Sequence, residues 1–216
     1  MKGNKSSEKL VHIPEGEVML EGALEIPEGA SGIVLFAHGS GSSRHSPRNN
    51  YVARVLREHG LGTLIMDLLT PEEDMDYEMR FNIDLLSKRL HAATEWLFKQ
   101  KETKGLAIGY FGASTGAAAA IQTASAMGDK ISAVVSRGGR PDLAWPYLDS
   151  IKAPVLLIVG GDDVVVIGLN EKAYREINSV KQIEIVPGAT HLFEEPGTLE
   201  TVAELAAKWL VKYLAR

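Results

Sequence analysis

Uninterrupted apolar runs recur along the chain, and most are followed by a stretch in which apolar residues return at helical spacing. Residues 33–37, 61–66, 106–111, 131–135 and 154–159 are runs of strand length with little or no polar alternation, as expected of strands buried on both faces. Residues 51–59 place Val52, Val55 and Leu56 on one helical face and stop at Gly60, a residue that ends helices readily. Residues 81–101 repeat Leu85, Leu86, Leu90, Ala93, Trp96 and Leu97 at the spacing of a long amphipathic helix. Residues 169–177 and 198–215 read as helices, residues 181–186 alternate and read as a strand, and Trp96 and Trp209 read as core. Near the start, the short runs 18–20 and 23–26 flank Glu21-Gly22, which predicts an antiparallel hairpin at a sheet edge. Strands alternating with helices after such a hairpin predict an α/β fold: a mostly parallel central sheet with helices on both faces. Residues 1–10 read as a flexible N-terminus and 11–216 as a single domain.

The stretch 105–127, GLAIGYFGASTGAAAAIQTASAM, organises the rest. An apolar strand runs to Phe111, turns through Gly112-Ala113-Ser114-Thr115-Gly116, and continues as an Ala-rich helix. Glycines two before and two after Ser114 are needed if strand and helix backbones approach closely at a strained turn. G-x-S-x-G in this context is a nucleophile elbow. A membrane helix is the other reading of so uncharged a stretch, but its Gly-rich centre and hydroxyls break it and no second span accompanies it. A structural turn with an inert serine is the remaining alternative, which the rest of the chain decides.

Composition narrows the chemistry. The chain has 216 residues, 45% hydrophobic and 24% charged, with a net charge of −5, an ordinary globular balance without the basic face that nucleic acid requires. There is no cysteine, which excludes thiol nucleophiles, disulfides and thiolate metal sites. MKGNKSSEKL lacks the apolar core of a secretory signal, so a cytoplasmic protein is expected, with no membrane or nucleic-acid partner and a monomer or homodimer equally permitted.

A serine hydroxyl needs a base to take its proton, and the base needs an acid to fix its tautomer. After Ser114 the chain holds one histidine, His191, in a Gly-Ala-Thr-His loop between a strand and the last helix. The acid is Asp163 or Asp162 at the end of the 154–159 strand. Neighbouring residues point in different directions, so only one can face His191; Asp163 is the first choice and Asp162 the alternate. No loop has the oxygen-ligand spacing of a cation cage, so no metal is expected. A tetrahedral intermediate needs N–H donors aimed at its oxyanion. These are expected from the amide of Thr115 and, from the loop His38-Gly39-Ser40-Gly41, the amide of Ser40. The same loop fails as a dinucleotide fingerprint because Arg44 holds the third glycine position and Pro47 interrupts an immediate helix. Arg44, His45 and Arg48, together with Arg137 and Arg140 after the 131–135 strand, are candidates for a substrate-anion pocket, with Trp145 as an apolar wall.

Together these motifs resemble the α/β-hydrolase superfamily, most closely its dienelactone hydrolase-like group, over about residues 17–214. The resemblance is carried by HGSGSSRHSPRN (38–49), DLLTPEE (67–73), RFNIDLLSKRL (80–90), GYFGASTGAAAA (109–120), VSRGGRPDLA (135–144), PVLLIVGGDDVVVIGLN (154–170) and GATHLF (188–193). It implies a Ser-Asp-His triad with Asp163 as the acid, oxyanion donors at Ser40 and Thr115, and hydrolysis of small esters, lactones or thioesters without a cofactor. Dienelactone hydrolases proper carry a cysteine nucleophile where this chain has Ser114, which departs from the pattern at its centre. Residues 136–152 leave no room for the cap domain of lipases. The other function class compatible with the fold is a non-catalytic or slow-turnover protein that binds and reports a small ligand.

Overall fold

The computed structural model describes residues 8–215. Eight strands form one sheet: β1 (Lys9–Glu15), β2 (Val18–Glu25), β3 (Gly32–Ala37), β4 (Gly62–Met66), β5 (Ala107–Ala113), β6 (Ile131–Arg137), β7 (Val155–Gly160) and β8 (Lys181–Val186), in the order β1-β2-β4-β3-β5-β6-β7-β8. From β4 across to β8 the neighbours are parallel, whereas β2 runs antiparallel to both β1 and β4. This is the α/β-hydrolase fold. The five central strands β3 to β7 are almost wholly buried, which is why they read as continuous apolar runs rather than alternating ones.

Helices cover both faces. On one, α3 (Ile83–Lys99) and α4 (Thr115–Met127) pack together, and Ser87 Oγ and Thr123 Oγ1 are hydrogen-bonded at 2.8 Å between them. α5 (Val164–Glu176) buries Ala173 in the same core. On the other, α1 (Pro47–Glu58) lies beside α6 (Thr198–Leu214), and Val52, Leu56, Ala203 and Leu210 share a core with Phe36 and Phe111 of the sheet. A short α2 (Pro71–Asp74) closes the acidic loop after β4 with a capping box between Thr70 and Glu73. Only residues 138–154, with a 3₁₀ segment at Pro141–Tyr147, join β6 to β7. No helix among the described residues is long and apolar enough to cross a membrane.

Three local expectations are corrected. The N-terminal hairpin turns at Gly16, not at Glu21-Gly22; β2 runs through both of those residues. Gly22 is small for packing instead: a Cβ there would stand 2.9 Å from Leu64 Cδ1. Residues 1–7 lie outside the described residues, but Lys9 and Leu10 of the expected flexible terminus are paired in β1 with Leu24 and Ala23. Pro47 does not interrupt a helix. It begins α1, where its missing N–H costs nothing, and Ser46 Oγ caps the helix by accepting from the Asn49 amide at 3.4 Å.

Candidate active site

Ser114 sits at the carboxyl end of β5 with φ 50° and ψ −119°, in a region that non-glycine residues avoid. The backbone is held there from three sides. The Ser114 amide donates to the Arg137 carbonyl at 3.2 Å, and the Ser114 carbonyl accepts from the amides of Ala117 and Arg140, both at 3.1 Å. The flanking glycines meet the steric need read from the sequence. A Cβ on Gly112 would lie 2.5 Å from Ala117 Cα, and one on Gly116 would lie 2.1 Å from the Ala37 carbonyl oxygen. Gly39 of the following loop is pressed against the serine itself, with its absent Cβ 3.0 Å from Ser114 Cβ. Ser114 Oγ makes no hydrogen bond, to His191 or to any other residue, among the described residues.

His191 faces Asp163. Their Nδ1 and Oδ2 atoms are 2.6 Å apart, with the carboxylate side chain 15% exposed and the imidazole 38%. A carboxylate only accepts, so Nδ1 carries the proton and Nε2 is left as the ring's open acceptor. Asp162 is exposed, and its amide is tied to the Ala189 carbonyl at 2.9 Å. Of the adjacent pair, Asp163 is therefore the residue that meets the histidine.

The loop carrying His191 is braced over the end of the sheet. A Cβ on Gly160 would strike the Ala189 and Thr190 carbonyl oxygens at 2.4 and 2.6 Å. Glu195 accepts from the Thr190 amide at 3.1 Å and from its hydroxyl at 2.6 Å. The Thr190 hydroxyl bond is the main reason that the Glu195 carboxyl lies below its ordinary range. Phe193, buried and at φ 56°, closes the loop. Gly138 follows the residue whose carbonyl holds the Ser114 amide, and His191 Cε1 lies 3.6 Å from where its Cβ would be. Histidine and serine thus share one corner of the sheet edge.

The loop after β3 reaches the same corner. The Ser40 amide donates to Thr115 Oγ1 at 3.0 Å, which joins the two expected oxyanion contributors directly. His38, 6% exposed, accepts from the Leu68 amide at Nε2 (3.0 Å) and faces the Gly39 carbonyl through Nδ1 (3.0 Å). Burial holds its pKa below the ordinary value.

The candidate anion ligands are not gathered into one open cluster. The Arg44 guanidinium is bound by Asp67 and by Glu21, the latter at 2.5 Å. Arg140 makes a forked pair with Asp142 at 2.7 and 2.8 Å. Arg48 donates to Glu194 at 2.7 Å. His45 is exposed, as is Trp145 at 44%. Arg137 differs from the rest. It is buried, its guanidinium lies 5.9 Å from the Phe193 ring centre, and its partner is the neutral Asn49 Oδ1 at 3.3 Å. Burial, with Arg48 nearby, lowers its pKa to about 10. A residue that the sequence reading passed over is Arg80, which lines a narrow cleft with His38, Gly39, Ser40 and Thr115. Its Nε donates to the Asp74 carbonyl at 2.7 Å. Its one sequence signal is a lone cation closing an acidic loop. Among the described residues there is no cluster of His, Asp or Glu that would hold a metal ion.

The model of the dienelactone hydrolase family matches residues 21–214. The chain belongs to the dienelactone hydrolase family. A solved dienelactone hydrolase from Anabaena variabilis is 54% identical, with a TM-score of 0.94 over 97% of this chain and 99% of that one. A Mycobacterium tuberculosis protein named putative phosphoribosyl transferase is 55% identical over 94% of this chain, which spans only 46% of that protein's length. A more distant structure, from Xanthomonas campestris and described as an α/β serine hydrolase without lid, is 18% identical with a TM-score of 0.80 over 97% of this chain and 96% of that one. It shares the fold.

Proposed function

We propose that the protein is a serine hydrolase that cleaves small carboxylic esters, lactones or thioesters through an acyl-enzyme on Ser114. The observation that carries this reading is the 2.6 Å Asp163–His191 contact at the same sheet edge as a serine held at φ 50°. In this reading His191 Nε2 takes the Ser114 proton as Oγ attacks the carbonyl carbon, and returns it to the leaving alcohol or thiol. Asp163 keeps the imidazole in the Nδ1-protonated tautomer and stabilises the imidazolium. The Thr115 amide and the Ser40 loop face the developing oxyanion. Water then attacks the acyl-enzyme with His191 again as base, releasing the acid and regenerating the serine.

An uncapped site favours small or exposed esters. Because carboxylates of the chain already occupy Arg44, Arg48 and Arg140, a substrate anion is not required by this reading. The transferase name belongs to a protein roughly twice as long, whereas the dienelactone hydrolase model covers Ser114, Asp163 and His191 together.

The test is hydrolysis of p-nitrophenyl acetate through decanoate, beside a carboxylate-bearing lactone, by wild type and Ser114→Ala. Turnover that falls with acyl length and disappears in Ser114→Ala supports the reading. A folded wild type that turns over none of these and takes no fluorophosphonate label would replace it with the ligand-binding alternative.

A further inference from the structure

The Ser40 amide, expected to point at the oxyanion, is already committed: its hydrogen goes to Thr115 Oγ1 at 3.0 Å. Thr115 itself is 2% exposed and is the first residue of α4, directly after Ser114. Neither its backbone N–H nor its hydroxyl proton has an acceptor among the described residues. One residue next to the nucleophile thus holds two unspent donors.

We infer that the Thr115 hydroxyl is a donor of the oxyanion hole, and that the Ser40 amide acts through it rather than on the substrate directly. This rests on the serine-hydrolase reading. A hydroxyl carries one proton and two acceptor sites. Accepting from Ser40 fills one acceptor site, turns the hydroxyl so that its proton faces away from Ser40, and polarises the O–H bond. A buried hydroxyl proton left without an acceptor is costly. That cost vanishes when negative charge develops on the carbonyl oxygen, so the bond strengthens in the transition state rather than in the bound ester. The donor pair on the oxygen becomes N–H and O–H of the same residue, held at the amino end of α4 where the helix dipole favours negative charge. No covalent bond to Thr115 forms and its proton stays on Oγ1 throughout.

Thr115→Val keeps the side-chain shape and removes the hydroxyl; Thr115→Ser keeps the hydroxyl. With p-nitrophenyl acetate, Thr115→Val is expected to lower kcat by about 10²-fold, the scale of losing one oxyanion donor, with KM changed by less than about threefold. Affinity for a trifluoromethyl ketone, whose hemiketal oxygen occupies the same hole, falls in parallel. Thr115→Ser stays within about tenfold of wild type on both measures. A purely structural role of the hydroxyl would not weaken the ketone selectively over the ester. If Thr115→Val retains or raises kcat, the hydroxyl was a plug on the Ser40 amide and the inference is overturned. Complete fluorophosphonate labelling of each variant at Ser114, with an unchanged near-ultraviolet circular dichroism spectrum, shows that the fold and nucleophile are intact. If Thr115→Val fails this check, Thr115→Ala is judged by the same measures. A wild type that is neither labelled nor active overturns the serine-hydrolase reading and this inference with it.

Discussion

The Leu68 amide donates to Nε2 of His38 at 3.0 Å, fixing the tautomer of a histidine that is not in the Asp163–His191 pair. With Nε2 accepting, Nδ1 carries the proton and donates to the Gly39 carbonyl at 3.0 Å. The ring thereby ties the loop after β4 to the loop that carries Ser40, and it must be neutral to do so.

Burial lowers the His38 pKa in the folded protein, whereas the unfolded chain takes up a proton near the ordinary value of about 6.5. Below that value the unfolded state binds more protons than the folded one, so His38 makes stability fall as pH drops. The loss begins near the unfolded pKa and ends at the lower folded pKa. His38→Gln is expected to cost about 1–3 kcal/mol near neutral pH through the unpaired loop groups, and to flatten the stability profile below about pH 6.5. Urea unfolding of both proteins at several pH values checks this. Parallel profiles would mean that His38 is not the titrating group.

If Asp163 orients His191, Asp163→Asn lowers kcat by about 10⁴-fold, since an amide stabilises the wrong tautomer. Asp162→Asn, one residue away and exposed, stays within about threefold of wild type. Steady-state kinetics on one ester decides the assignment, and equal losses in both variants would refute it.

The φ of 50° at Ser114 lies where L side chains are strained. Ser114→Gly is expected to remove activity and to raise the unfolding free energy by about 1 kcal/mol, because glycine adopts that conformation without penalty. Chemical denaturation alongside Ser114→Ala, which keeps the Cβ and hence the strain, isolates the backbone effect. A Ser114→Gly variant no more stable than Ser114→Ala would show that little strain is stored.

Two glycines in helices predict opposite signs. Gly116→Ala would place its Cβ 2.1 Å from the Ala37 carbonyl oxygen, so the elbow must shift, and a loss above about 3 kcal/mol is expected. Gly168 lies inside α5 with nothing within 4 Å of its missing Cβ. Gly168→Ala is expected to stabilise by about 0.5–1 kcal/mol through helix propensity alone. Thermal melts of both variants give the comparison; destabilisation by Gly168→Ala would contradict the packing described.

Much of this molecule was legible in its sequence because the informative signals are local. Continuous apolar runs are what burial on both faces of a parallel sheet demands, so β3 to β7 could be placed from pattern alone. G-x-S-x-G specifies a turn through the size of its own neighbours, and His191 followed from being the one histidine after Ser114. What pattern could not supply were relationships between residues far apart in the chain. Gly22 looks like a turn residue locally, yet it is small because Leu64 and Met66 lie across from it. Asp162 and Asp163 are equivalent as letters, and only the path of the β7 exit turns one toward His191. Charge gives no hint that Arg44 is met by Glu21 and Asp67, or that Arg137 is buried against a neutral asparagine. Nor does the sequence show that the Ser40 amide points at the hydroxyl of Thr115. Local sterics and periodicity are written in neighbouring residues, whereas the partner of a charge or a hydrogen bond is decided only when the sheet brings separate loops to one edge.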